Sequence, residues 1–133
     1  MIEIKHATTR DVLYRLEDDT LQEAHLDNAK IAGADLSNLD LRGVTFRNAD
    51  LREVDFSGAN LQGAILKNAG LSRANFEHAN LQQIDLTNAF MAMEYIPAKL
   101  VTLISTEHEN MRNQMLMNYN DPNVRMRLCF SQL

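Results

Sequence analysis

From position 26 onward a large apolar residue recurs every five positions: Leu26, Ile31, Leu36, Leu41, Phe46, Leu51, Phe56, Leu61, Leu66, Leu71, Phe76, Leu81, Leu86 and Met91. Two residues before each stands a second apolar residue, mostly small, as in Ala24, Ala29, Ala34, Ala59, Ala64 and Ala89. A period of five fits neither regular element. On an α-helix five residues advance about 500°, so the apolar stripe would spiral around the surface. On a straight strand an odd period sends successive large residues to opposite faces. Each five-residue unit must therefore contain its own bend. Four bends close a square, so one coil takes about twenty residues and coils stack by backbone hydrogen bonding at about 4.8 Å. Two side chains per unit point inward, and the narrow interior explains why one is usually Ala while the other is Leu or Phe.

The units Ala34-Asp35-Leu36-Ser37-Asn38, Ala49-Asp50-Leu51-Arg52-Glu53, Ala59-Asn60-Leu61-Gln62-Gly63 and Ala79-Asn80-Leu81-Gln82-Gln83 share the pattern A-(D/N)-L-x-x. In this they resemble the pentapeptide-repeat family, and the resemblance covers residues 34–91. It implies an all-β solenoid, a right-handed quadrilateral β-helix of about three to four coils. The twenty-residue level adds three expectations. Asn28, Asn48, Asn68 and Asn88 recur at that spacing and predict a stacked edge, each amide bonding the next or capping a turn. Phe56 and Phe76 should stack inside one face. Asp27, Arg47 and Lys67 fall in one column, and Glu53 and Arg73 in another, as exposed cross-coil ion pairs.

Three segments follow from where the repeat starts and stops: residues 1–20, 21–91 and 92–133. Ile2-Glu3-Ile4 and Val12-Leu13-Tyr14 flank a polar turn at Thr8-Thr9-Arg10 and predict a hairpin that caps the lower end. Within 21–33 two structures compete. Thr20-Leu21-Gln22-Glu23 reads as a capping box and Gly33 as a helix stop, which favours a short capping helix. Leu26 and Ile31 keep the five-residue register, which fits an additional half-coil. After Met91 the repeat ends. Pro97 is placed to open a helix, a second helical stretch runs near 106–118, and the alternation over 124–130 reads as a strand. Five of the seven methionines lie beyond residue 92. Phe90, Leu100, Leu103, Ile104, Met111, Met115 and Leu116 therefore form a candidate cap, with more apolar surface than one coil end can bury. That excess predicts a homodimer through the C-terminal segment, and in the resembled family such a segment often pairs two chains.

Charge and chemistry narrow the function. Lys plus Arg is 13 against 18 Asp plus Glu, a net charge of −5. This mild acidity argues against direct nucleic-acid binding, which needs a basic patch. No apolar run is long enough for a membrane span and no leader opens the chain, so a cytoplasmic protein with no membrane contact is expected. The single Cys129 has no partner for a disulfide or a zinc site, and His6, His25, His78 and His108 fall at no metal-ligand spacing. No nucleophile elbow or phosphate loop is present. Asp35 and Asp55 would stack at a glycosidase-like separation, but on the outside of a convex rod. A protein that is not an enzyme and needs no cofactor is expected.

Two binding classes remain. The first is a rigid protein-interaction module whose partner the sequence does not identify, with Thr45, Ile65 and Asp85 as a candidate outward patch. The second uses the acidic cluster Asp35, Asp40, Asp50, Glu53 and Asp55. Some members of the resembled family are acidic rods that imitate DNA, which implies a small inhibitor or modulator of a DNA-binding enzyme such as gyrase or a defence nuclease. Arg42, Arg47, Arg52, Lys67 and Arg73 interrupt the acid, and residues 21–91 hold nine acidic against six basic side chains.

Overall fold

The computed structural model describes residues 1–92 and 127–129. Residues 21–92 wind with a repeat of twenty: parallel bridges join His25 to Thr45, Thr45 to Ile65 and Ile65 to Asp85, and likewise Asp40 to Asn60 to Asn80. Hydrogen bonds run in both directions between windings. The Leu26 N–H donates upward to the Thr45 carbonyl at 2.7 Å, and the Thr45 N–H donates downward to the Ala24 carbonyl at 2.9 Å. The same alternation recurs along the chain, so backbone polar groups that the bends take out of any ordinary sheet are satisfied by the next winding.

Each unit bends through a four-residue turn, closed for example by the Ala29 N–H on the Leu26 carbonyl at 3.1 Å. The third residue of every such turn, at each fifth position from Glu23 to Asn88, has φ between 56° and 77°. This gives the asparagine column a backbone reason. Asn28, Asn48, Asn68 and Asn88 stand where the backbone is left-handed, together with Asn38, Gly33, Gly43, Gly58 and Gly63. Asn and Gly adopt that conformation with least strain. Glu23, Glu53, Arg73, His78 and Gln83 occupy the same position without that advantage. Gln83→Asn should accordingly raise stability by ~0.5 kcal/mol, read as an increase in melting temperature.

The inward positions form one continuous core from Leu21 to Ala89. Phe56 and Phe76, one winding apart, stack with centroids 5.1 Å apart and planes at 10°, as their spacing predicts. Phe46 meets Phe56 edge-on at 6.1 Å. The smaller inward residues are buried as well, save Ile84, which is half-buried, and Leu39, which is 37% exposed.

The helix favoured for 21–33 does not form. Residues 21–33 are instead the start of the first winding, with Leu26 and Ile31 fully buried. The Thr20 hydroxyl does accept the Gln22 N–H at 3.1 Å, so the local capping signal was real. What overrides it is the winding above: Asn28 and Ile31 donate their N–H groups to the Arg47 and Asp50 carbonyls. A helix would spend those donors on itself and turn Leu26 and Ile31 to different sides.

Strands β1 (Ile2–Lys5) and β2 (Val12–Leu16) pair antiparallel with a register shift between Ile4 and Lys5. The hairpin docks on the lower edge through Ala7 N–H to Gly33 carbonyl, 2.9 Å, and Asp35 N–H to Lys5 carbonyl, 2.8 Å. Ile4 and Leu16 are buried against the first winding. Gly33, at φ 77°, lets the His6 ring sit where a Cβ would be, so a larger residue would have to displace that ring. At the upper end β3 (Phe90–Ala92) pairs antiparallel with β4 (Arg127–Cys129), Met91 opposite Leu128. The helical segments expected between them, with Leu100, Leu103, Ile104, Met111, Met115 and Leu116, lie outside the described residues. Among the described residues no helix is long and apolar enough to cross a membrane.

Candidate functional site

The outward residue before each central Leu or Phe is the structural key to the surface. Where it is Asp or Asn, its side-chain oxygen accepts the N–H two residues on: Asp35 from Ser37 at 3.1 Å, Asp55 from Ser57 at 2.9 Å, Asn60 from Gln62 at 3.2 Å and Asp85 from Thr87 at 2.9 Å. The Asp or Asn of the repeat is thus an Asx turn that holds the bend. Four members of the acidic cluster, Asp35, Asp40, Asp50 and Asp55, do this work.

Arginines then offset the charge. Arg42 grips Asp40 with two bonds of 2.8 and 2.7 Å, and Arg52 grips Asp50 at the same two distances. Arg10 from the hairpin turn reaches Asp35 at 3.3 Å, and Arg73 reaches Glu53 at 3.9 Å. Arg47 lies 3.5 Å from Asp27 across one winding. The two tight pairs join residues two apart in sequence, which share one side of extended backbone. Spacing by twenty does not reveal them. Asp35 and Asp55 stand one above the other in a bridge, while Asp50 lies between Lys30 and Gly70 and Glu53 sits on a turn. The five acids are thus spread over three rows and a turn, and four of them pair with arginines, so they form no open acidic stripe.

These contacts hold several carboxylates below their ordinary range. Asp35 is lowered first by the Ser37 hydroxyl, and Asp40 and Asp50 first by hydrogen bonds from Arg42 and Arg52. Burial pushes Asp85 up, but the Thr87 hydroxyl and N–H, with Lys67 and Arg47, outweigh it and leave it lowered. A carboxyl whose folded pKa is depressed contributes stability that is present above its unfolded value and lost as pH falls through the folded one. Melting temperature should therefore hold steady from neutrality down to about pH 5 and fall below about pH 4. Asp85→Asn should flatten that fall, measured by thermal melts across pH.

Thr45, Ile65 and Asp85 do form one column, on a row that begins at His25. It is not an exposed apolar patch. Thr45 is only 6% exposed, its hydroxyl 3.3 Å from His25 Nδ1, and Ile65 and Asp85 are half-buried. Phe90 heads a different column, above Gly70, and is 40% exposed. Among the described residues no group of three His, Cys, Asp or Glu is placed to hold a metal ion.

Residues 21–58 and 55–91 match the family model described as pentapeptide repeats, in eight copies. No curated protein matches the chain. Among solved structures it is similar to a pentapeptide repeat protein of the cyanobacterium Cyanothece 51142, at 34% identity over 47% of this chain and 42% of that one, TM-score 0.46. It is also similar to one from Nostoc PCC 7120, at 42% identity over 54% of this chain and 64% of that one, TM-score 0.40. A third, from the thylakoid lumen of Arabidopsis thaliana, is 18% identical over 74% of this chain and 88% of that one, TM-score 0.44. The chain spans less than two thirds of the length of the two cyanobacterial proteins.

Proposed function

The chain belongs to the pentapeptide-repeat family, and from that premise we propose that it is a non-enzymatic module whose outer surface binds a protein partner. Membership implies a right-handed quadrilateral β-helix, and proteins of the family are generally non-catalytic. The observation that carries the binding reading is the fixing of outward side chains by their own backbone: Asp40 with Arg42 and Asp50 with Arg52 are held in place before any partner arrives. Side chains ordered in advance lose little entropy on binding and present a defined charge mosaic. The same mosaic weighs against imitation of DNA, which requires uninterrupted negative charge where Arg10, Arg42, Arg52 and Arg73 stand. The C-terminal segment joins two copies in this proposal, and nucleic acid and membrane are not direct ligands.

Light scattering on the purified chain tests the dimer, which requires twice the 15.1 kDa mass of one copy. Affinity capture with the immobilised chain, with and without excess duplex DNA, tests the binding reading. A discrete partner retained in near-stoichiometric amount and indifferent to DNA is expected. A partner displaced by DNA would favour the mimic instead, and capture of nothing specific would overturn both.

A further inference from the structure

Among the described residues one inward side chain of the repeat is exposed. Leu39 holds an inward position, the equivalent of Ala59 and Ala79 above it, yet it is 37% exposed whereas those two are buried. The hairpin covers only part of the lower end. It pairs with the first winding at Gly33, Ala34 and Asp35, and among the described residues no backbone bond joins it to Asp40. Between them lies an open hollow of about 450 Å³, walled by Ile2, Glu3, Asp19, Asp35, Leu39 and Asp40.

The backbone along this edge is also unfinished. In the windings above, the N–H groups of Thr45, Asp50, Asp55 and Asn60 each donate to a carbonyl below, and that of Asp35 donates to Lys5. No backbone carbonyl among the described residues accepts from the Asp40 N–H, nor from those of His25 and Lys30 on the same winding; of the three, Asp40 alone lines the hollow. An extended edge with a free donor, beside an exposed leucine, is a template for an added strand. Charge identifies the kind of strand. Asp19, the last residue of the acidic run Glu17-Asp18-Asp19, lines the hollow, and its side chain is 99% exposed and lies 3.4 Å from the terminal amine. Among the described residues no basic side chain pairs with this run.

We propose that the hollow beneath Leu39 and the adjoining edge at Asp40 bind an extended segment of a partner protein in which basic residues alternate with aliphatic ones. The segment continues the winding downward: its backbone pairs with the Asp40 N–H, an aliphatic side chain covers Leu39, and a Lys or Arg faces Asp19. This inference rests on the protein-binding reading and assigns it a site and a partner chemistry.

The test is a titration of the full isotope-labelled chain with a short capped peptide alternating lysine with leucine and valine, followed by amide NMR. Saturable shifts confined to residues 2–4, 19–21 and 35–40, with slowed exchange of the Asp40 amide, are expected. Leu39→Lys and Asp19→Lys should each weaken binding by about tenfold or more. Asp19→Lys falls on a fully exposed side chain, so its unchanged melting curve separates lost binding from lost folding, and the melting curve of Leu39→Lys is measured beside it. Absent or unsaturable shifts, shifts centred on other windings, or full binding by Leu39→Lys would overturn the proposal. The same amides moving with protein concentration alone would make a second copy the occupant and overturn the partner assignment. A specific partner captured from lysate by both wild type and Leu39→Lys would end this proposal and leave the binding reading standing. Failure of capture altogether would end both.

Discussion

Leu61→Asp should leave no folded protein: no cooperative thermal transition, and amide dispersion collapsed to that of an unfolded chain. Leu61 is fully buried in the middle winding, with Leu41 one winding below it and Leu81 one above. The interior is too narrow for water to follow the carboxylate in, and the inward neighbours are apolar. Burying an unpaired charge costs at least several kcal/mol, and a domain of this size has about 5–15 kcal/mol in all. The effect is not confined to one unit. Each winding is held only by those directly above and below, so loss of a central one exposes two new edges. Ser57→Ala, at an outward position, should change stability by no more than about 0.5 kcal/mol. A cooperative melt for Leu61→Asp within a few degrees of wild type would contradict the placement of this column inside the core.

Phe56→Ala should cost about 3–5 kcal/mol, the usual range for a buried aromatic truncated to alanine. Phe56 sits at the junction of the aromatic group, stacked on Phe76 at 5.1 Å and edge-on to Phe46 at 6.1 Å. Its removal opens a cavity bounded by backbone already committed to hydrogen bonds on both sides, so the windings cannot close over it. Phe56→Leu, which restores most of the volume, should recover more than half of the loss. Denaturant unfolding midpoints at constant slope measure both changes. Equal stability of Phe56→Ala and wild type would mean that the stack is not a structural element of the native state.

The sequence carried the core and the winding almost without help. A period of five leaves a chain no regular element, and two inward residues per unit then dictate a narrow interior; Leu21 to Ala89 occupy it accordingly. The Phe56–Phe76 stack was legible for the same reason, because a repeat of twenty places them face to face. The cross-winding pairs Asp27–Arg47 and Glu53–Arg73 were legible too. The turns were only half legible. The asparagines read as a stacked edge that bonds along the column or caps turns, while the left-handed backbone beneath them was masked by Glu23, Glu53, Arg73, His78 and Gln83 at the same position.

Other features were decided in three dimensions. Whether 21–33 became helix or winding depended on carbonyls at Thr45, Arg47 and Asp50, which local propensity cannot see. The candidate acidic surface changed character because Arg10 arrives from the hairpin turn, while Arg42 and Arg52 fold back on Asp40 and Asp50. Leu39 shows the limit most clearly. Its place in the repeat assigns it to the interior, and so by itself the sequence determined a continuous column of inward side chains. Only the tertiary structure decided that the hairpin pairs with the lower end at Gly33 and Asp35 and leaves Leu39 exposed and the Asp40 N–H without a backbone acceptor. A repeat specifies what each unit buries against the next; it carries no information about the end where no next unit exists.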